Sequence, residues 1–325
     1  MTKRRGIAWF CLFLLAVLLW TTFSGAPQSP DAERSDSLRI VSTAPSITET
    51  LFALDLGDCV VGVSNYCKYP EAAKKLPKIG SLYDYNVERI VELNPDFVVV
   101  IRENEVLPPQ LEKMGIECVA VDHASLDGAL RSFEELGARA EKGVEVGGRR
   151  IARVGAKAKG AELRREAEAR VDAVREKVAG LPKPRTLVSI YRPLGTGKVG
   201  EAYVAGQNPY FNTILDIVGA VNVAGDLVGA APTVNAESIV ALNPEVVLDL
   251  STDGVERDEK EREKVGAERA ADWDALGNEV EAVRTGRIYQ IFDDYATIPG
   301  PRAPLFIEEL ATLLHPELKE GKARD

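Results

Sequence analysis

Apolar and polar positions run through this chain in a pattern that occurs twice. Asn86 to Val100 reads NVERIVELNPDFVVV and Asn235 to Asp249 reads NAESIVALNPEVVLD, with shared residues in the same order at a constant offset. Each copy opens on an Asn suited to a helix N-cap (Asn86, Asn235), and a carboxylate follows in the first turn (Glu88, Glu237), where the helix dipole favours negative charge. Ile90, Val91 and Leu93, like Ile239, Val240 and Leu242, supply a buried face. Asn-Pro then ends the helix, because proline disfavours helical geometry in the residue before it and has no N–H to donate. The apolar runs Phe97 to Ile101 and Val246 to Leu250 predict strands buried on both faces. The repeated unit is a short helix feeding a central strand, so the chain is expected to have two related halves.

The remaining pattern fits this plan. Arg39 to Thr43 predicts a first strand, followed by Ala44-Pro45 and a capping-box sequence, Ser46-Ile47-Thr48-Glu49, opening a helix to about Leu54. Val60 to Ser64, Glu117 to Val121, Thr186 to Ile190 and Arg287 to Phe292 predict further strands, and Asn208 to Val218 a helix. Alternating strands and helices give an α/β fold with parallel sheets covered on both faces. Between the repeats, Val144 to Ala179 turns to Ala, Arg, Glu and Lys without proline. Its apolar positions keep mostly three- and four-residue spacing, which predicts a helix about 50 Å long bridging two lobes. The expected division is 1–26, 38–143 (first lobe), 144–180 (linking helix) and 181–318 (second lobe). Asp253 to Ala270, dense in alternating charge, predicts a solvated helix or mobile loop above core anchors Trp273, Leu276 and Val283. Pro299-Gly300-Pro301-Arg302 and an apolar helix to about Leu314 close the fold.

Length and charge narrow the class. A chain of 325 residues with 45% hydrophobic content can bury the cores of two domains, and a net charge of −10 argues against a nucleic-acid partner. Lys3-Arg4-Arg5, the apolar run Ile7 to Phe23 and Ser24-Gly25-Ala26 have the layout of a secretory signal, which predicts export; an uncleaved membrane anchor is the alternative. Cys11 lies inside that run without the context of a lipid-modified cysteine. Cys59, Cys67 and Cys118 are odd in number, and Cys59 and Cys67 flank an extended strand too long for them to bond, so they read as small buried residues.

The usual catalytic constellations are missing from the sequence. His123 and His315 stand far apart with no clustered Cys/His, so no metal site is expected. Gly195-Thr196-Gly197-Lys198 lacks P-loop spacing, with Val199 where Ser or Thr would hold magnesium, and there is no nucleophile elbow. The reading is therefore a binding protein, with an enzyme acting on its cleft ligand as the less favoured alternative. Ligands of open parallel sheets sit beyond the carboxyl ends of the strands, often between two lobes. That rule nominates Pro45, Ser46, Asn65, Tyr66, Tyr83, Tyr85 and Arg102 in the first half. In the second it nominates Tyr191, Arg192, Ser251, Asp294 and Tyr295. Tyrosines pair a flat apolar face with a polar tip, which suits a large ligand of mixed polarity. Glu88 and Glu237 read either as helix-dipole partners or as matched charges for a two-sided partner, and recurrence alone leaves both open.

TAPSITETLFALDLGD (Thr43 to Asp58), VGVSNYCKYP (Val61 to Pro70), the two repeat copies and PGPR, in this order, resemble the periplasmic-binding proteins of ABC transporters that capture iron complexes and cobalamin. The resemblance covers roughly residues 38 to 316. It implies two Rossmann-like lobes joined by a single long α-helix and a periplasmic, monomeric carrier serving an ABC transporter permease. Glu88 and Glu237 match the positions at which relatives dock onto permease arginines. The chain looks closest to cobalamin binders: Tyr66 matches an aromatic lining the corrinoid cleft, and Asp294 an acid that hydrogen-bonds the ligand's amide edge. Cobalamin would be transported cargo, with no cofactor implied. A ferric siderophore or haem, with Tyr66 or Tyr191 near the iron, is the alternative. The chain departs from the pattern at Ile298, where a relative has arginine, and at Gly229 to Pro232, where an aromatic is missing.

Overall fold

The computed structural model describes residues 37–320 apart from 83 and 252–257. The expected export signal at 1–26, with Cys11, and the candidate ligand residue Tyr83 lie outside the described residues.

The first lobe is a four-stranded parallel sheet of β1 (Ile40–Ser42), β2 (Val60–Val63), β3 (Phe97–Ile101) and β4 (Glu117–Val121), in the order β2-β1-β3-β4. Alternation sorts its side chains to two faces. Ile40, Phe97 and Val99 pack with Ile47 and Leu51 of helix α1 (Pro45–Ala53), whereas Val41, Val98 and Val100 pack with Ile90 of α2 (Val87–Glu92). The capping box expected at Ser46 does not form. Ala44 is the N-cap, Pro45 with its preset φ takes the first turn, and Ser46, Thr48 and Glu49 are buried inside the helix.

The repeat folds as its local chemistry requires. The side chains of Asn86 and Asn235 accept hydrogen bonds from the backbone N–H groups of Arg89 (2.7 Å) and Ser238 (2.8 Å). Asn94 and Asn243, each before the proline, take left-handed φ values of 44° and 40° that stop the helices.

One long helix forms the bridge, with a second helix packed beside it. α3 (Leu126–Lys142), which the sequence reading did not single out, has Ser125 as its N-cap and packs beside α4 (Ala156–Val178). The linking helix therefore starts twelve residues later than Val144 and spans roughly 34 Å rather than 50 Å. In place of its first turns, Val144–Val146 and Arg149–Ile151 pair as a hairpin around Gly147 (φ 56°) and Gly148 (φ 77°), backbone conformations that a helix excludes. α3 and α4 cross at two glycines. A Cβ on Gly160 would lie 2.2 Å from the Phe133 carbonyl oxygen, and one on Gly137 would lie 2.4 Å from that of Ala156.

The second lobe contains β5 (Arg185–Tyr191), β6 (Glu201–Val204), β7 (Val221–Asn222), β8 (Thr233–Asn235), β9 (Val246–Asp249) and β10 (Ile288–Gln290). Their order is β8-β6-β5-β9-β10, with β7 also beside β5. β6 runs antiparallel to both neighbours, so this sheet is mixed where a parallel one was expected. The Gly195–Gly200 excursion is too short for the crossover that a parallel return requires. Helices α5 (Pro209–Ile217), α6 (Ala236–Leu242), α7 (Glu259–Asp274) and α8 (Ala303–Leu314) are the longer helices of the lobe. α7 fills most of the charge-dense stretch and opens on a capping box between Asp258 and Glu261, with Trp273 fully buried near its end. Cys59, Cys67 and Cys118 form no disulfide; the first two are buried.

Candidate functional site

The chain leaves β1 for β2 on one side of the sheet and reaches β3 on the other, so β1 and β3 bound a topological switch point. A hollow of about 450 Å³ opens beyond their carboxyl ends. Thr43 to Ser46 and Ile101 form its floor, Tyr66, Leu82 and Tyr85 its side, and Thr297, Ile298 and Pro299 of the second lobe its opposite wall. Pro45, Ser46, Tyr66 and Tyr85 are thus brought together as the sequence nominated them. Tyr66 is 63% exposed at the mouth, whereas the Tyr85 hydroxyl donates to the Thr43 carbonyl at 3.1 Å.

The floor is braced by a polar chain. Ser46 Oγ lies 2.7 Å from His123 Nδ1, His123 Nε2 lies 2.9 Å from Ser132 Oγ, and Ser132 Oγ donates to the Ala129 carbonyl at 2.6 Å. Because the Ser132 proton is committed to that carbonyl, its oxygen accepts from Nε2–H, and Nδ1 accepts from Ser46. Burial pushes the His123 imidazole down to about 4, so it is neutral and this tautomer is fixed.

At the other end of the floor the lobes meet through Arg302, the arginine of the PGPR run. Its Nε and Nη2 donate to the two Glu49 oxygens at 2.8 and 2.5 Å, and Nη2 also lies 2.9 Å from Asp294 Oδ1. The guanidinium stands 4.2 Å from the centre of the Tyr69 ring and 5.5 Å from that of Tyr295. Burial pushes the Glu49 carboxyl up while the guanidinium pulls it down; the two-pronged geometry is that of an ionised pair. Burial disfavours charge on Arg302 as well, but Glu49 and Asp294 outweigh it and hold the guanidinium protonated. Arg302, Tyr69 and Glu49 were not nominated from strand ends. The PGPR and NYCKYP runs were the available signal.

One nomination, Arg192, is corrected by its surroundings, and two tyrosines do not line the hollow. Arg192 is fully buried away from the hollow, bonded to Asp249 (2.8 Å), Asp272 (2.7 Å) and the Arg269 carbonyl (2.9 Å), which leaves no room for a ligand. Tyr295 is partly buried: it donates its hydroxyl to Glu309 at 2.9 Å, packs its ring edge-on to Phe306 at 6.4 Å and stands 5.5 Å from the Arg302 guanidinium. Tyr191 is half exposed beside Tyr203, ring centres 6.1 Å apart, and does not line the hollow. Asp294 keeps an accessible carboxylate, its side chain 46% exposed.

The glycine-rich loop does hold an anion, but one from its own chain. The N–H groups of Gly195 and Gly197 donate to the Asp272 carboxylate at 3.0 and 2.7 Å. Burial alone would push Asp272 up; Arg192 and these two amides outweigh it and hold the carboxyl below its usual range.

Glu88 and Glu237 are exposed in the first turns of α2 and α6, and neither lines the cleft. Glu88 shares a shallow hollow with Asn65 and Asp84 whose edge, Tyr85, also lines the cleft, so the carboxylate stands on the cleft's side of the lobe.

Two α/β lobes, a stiff helical bridge and a ligand-sized hollow at a switch point define a two-lobed binding protein. The chain belongs to the periplasmic binding protein family, which matches residues 40–295. It is 30% identical to the "Uncharacterized ABC transporter substrate-binding lipoprotein YvrC" of Bacillus subtilis (strain 168), over 98% of this chain and 99% of that one. It is also 30% identical to a "Vitamin B12-binding protein" of Vibrio campbellii, over 84% of this chain and 87% of that one. Among solved structures it resembles the apo form of the periplasmic heme-binding protein RhuT from Roseiflexus sp. RS-1, with TM-score 0.66, 27% identity and coverage of 85% and 97%. The periplasmic vitamin B12 binding protein BtuF of Vibrio cholerae superposes with TM-score 0.69 at 21% identity, covering 86% and 97%, a likeness of fold alone.

Proposed function

We propose that this chain is the exported substrate-binding component of an ABC importer and carries cobalamin or a related corrinoid in the interlobe cleft to its permease. The observation that carries the reading is the hollow at the first-lobe switch point, walled on its far side by Thr297 to Pro299. Its lining is largely aromatic and aliphatic with a few polar groups, the composition that suits a large ligand of mixed polarity. The exposed Asp294 carboxylate offers an acceptor to an amide-bearing edge. A relative at 30% identity named as vitamin B12-binding supports the choice of ligand. Glu88 and Glu237, one per lobe, supply a pair of exposed carboxylates to permease arginines, and each also favours the start of its helix. Titration calorimetry with cyanocobalamin, hemin and a ferric hydroxamate tests the reading: one-to-one binding of cyanocobalamin is expected, and binding of hemin in its place would overturn the corrinoid assignment.

A second reading, haem or a ferric chelate, is favoured by Tyr66. A tyrosine 63% exposed at the cleft mouth is placed to give a phenolate ligand to ferric iron. A ferric phenolate absorption band that disappears in Tyr66→Phe would support it.

A further inference from the structure

We propose that Arg302 is the positioning residue of the cleft, setting the spacing of the two lobes and through it the ligand-binding wall. Arg302 stands at the start of α8 in the second lobe, and Glu49 lies in α1 of the first, 253 residues away in sequence. Their double hydrogen bond joins the lobes directly, in addition to the covalent bridge. The cleft wall Thr297–Pro299 lies immediately upstream of the arginine. Gly300, between the wall and Arg302, faces α1, and a Cβ there would make ordinary van der Waals contact with the Ser46 carbonyl oxygen at 3.6 Å and Glu49 Oε2 at 3.8 Å. The same guanidinium stacks on the Tyr69 ring, which is 49% exposed, and pairs with Asp294. One side chain therefore fixes an aromatic face of the first lobe and a carboxylate of the second at the same point. A planar fork holds this geometry; a lysine would keep the charge but lose both the paired hydrogen bonds and the stacking.

Two arms separate this proposal from the identity of the ligand. The first needs no ligand. Spin labels at Lys113→Cys and Asn278→Cys, both exposed and one on each lobe, are placed in a Cys11→Ser and Cys118→Ser background, since Cys59 and Cys67 are buried. Wild type is expected to give one narrow interlobe distance by pulsed electron spin resonance, and Arg302→Gln and Glu49→Gln a clearly broadened one at unchanged helix content. Arg302→Lys serves if Arg302→Gln does not fold, and should broaden the distribution less. Unchanged distributions in folded variants would overturn the proposal. The second arm rests on the corrinoid reading and measures cyanocobalamin affinity, expected to fall about tenfold in Arg302→Gln and to be partly restored in Arg302→Lys. Broadened distances with undiminished affinity would overturn the positioning role. A wild type that does not bind cyanocobalamin would sink the ligand assignment and leave the distance measurement to decide the interlobe role.

Discussion

The Arg170 guanidinium on the bridging helix α4 meets the Glu308 carboxylate on α8 through two parallel hydrogen bonds of 2.8 Å each. The contact fastens the bridge to the second lobe from outside the core. The hydrogen bonds from Arg170 hold the Glu308 carboxyl below the usual range despite partial burial. A depressed carboxylate contributes stability above its unfolded value, about 4.3, and loses it as pH falls through the lower folded value. Both side chains are about two-fifths exposed, so solvent screens the pair and the contribution is small. Urea unfolding of wild type and Glu308→Gln should show a modest gap at pH 7 that narrows as pH falls below about 4.3.

His123 acts with the opposite group chemistry over a higher window. Its buried imidazole titrates at about 4, well below the ordinary value near 6.5. The unfolded chain therefore binds a proton first, and stability falls as pH drops from about 6.5 to about 4, by about 3 kcal/mol in all. His123→Gln should flatten this stretch of the stability–pH curve in chemical denaturation, even if it lowers stability at pH 7 by disturbing Ser46 and Ser132.

The α3–α4 crossing depends on the absence of a side chain. Alanine at position 160 would gain up to about 1 kcal/mol in helix propensity. Its Cβ would meet the Phe133 carbonyl oxygen at 2.2 Å, and backbone cannot rotate away as a flexible side chain can. Overlap wins, and Gly160→Ala should lose about 1–3 kcal/mol, read as a lower thermal midpoint. Gly115→Ala, at a site with open space but φ of 77°, is the control for strain without overlap.

Reversing the charge of Glu88 and Glu237 should separate docking from binding. Neither carboxylate lines the cleft, so the double variant Glu88→Lys and Glu237→Lys should keep ligand affinity within about twofold, as exposed substitutions usually do. Transport into cells or permease-containing vesicles should be abolished by like-charge repulsion. A large loss of affinity in calorimetry would place the carboxylates in the cleft and refute the docking role.

Legibility in the sequence followed the range of the interactions involved. Asn86, Asn235 and the two Asn-Pro breaks act on neighbours three residues away, so the repeat and its strands could be read directly. The hairpin at Gly147-Gly148 was overridden by the helical spacing around it, which placed the start of the bridge too early. Arg192 follows a strand end, and this much was visible. Its partners Asp249 and Asp272 lie 57 and 80 residues away, so its structural role needed the fold. Arg302 is visible as the last residue of the PGPR run, but its pairing with Glu49 spans 253 residues of sequence.

Cys59, Cys67 and Cys118 carry no sulfur–sulfur bond, and burial pushes the thiols of Cys59 and Cys118 up to about 11. At neutral pH these sulfurs stay protonated and make poor nucleophiles. Among the described residues no contact therefore depends on oxidation, and dithiothreitol should leave the melting curve where it was.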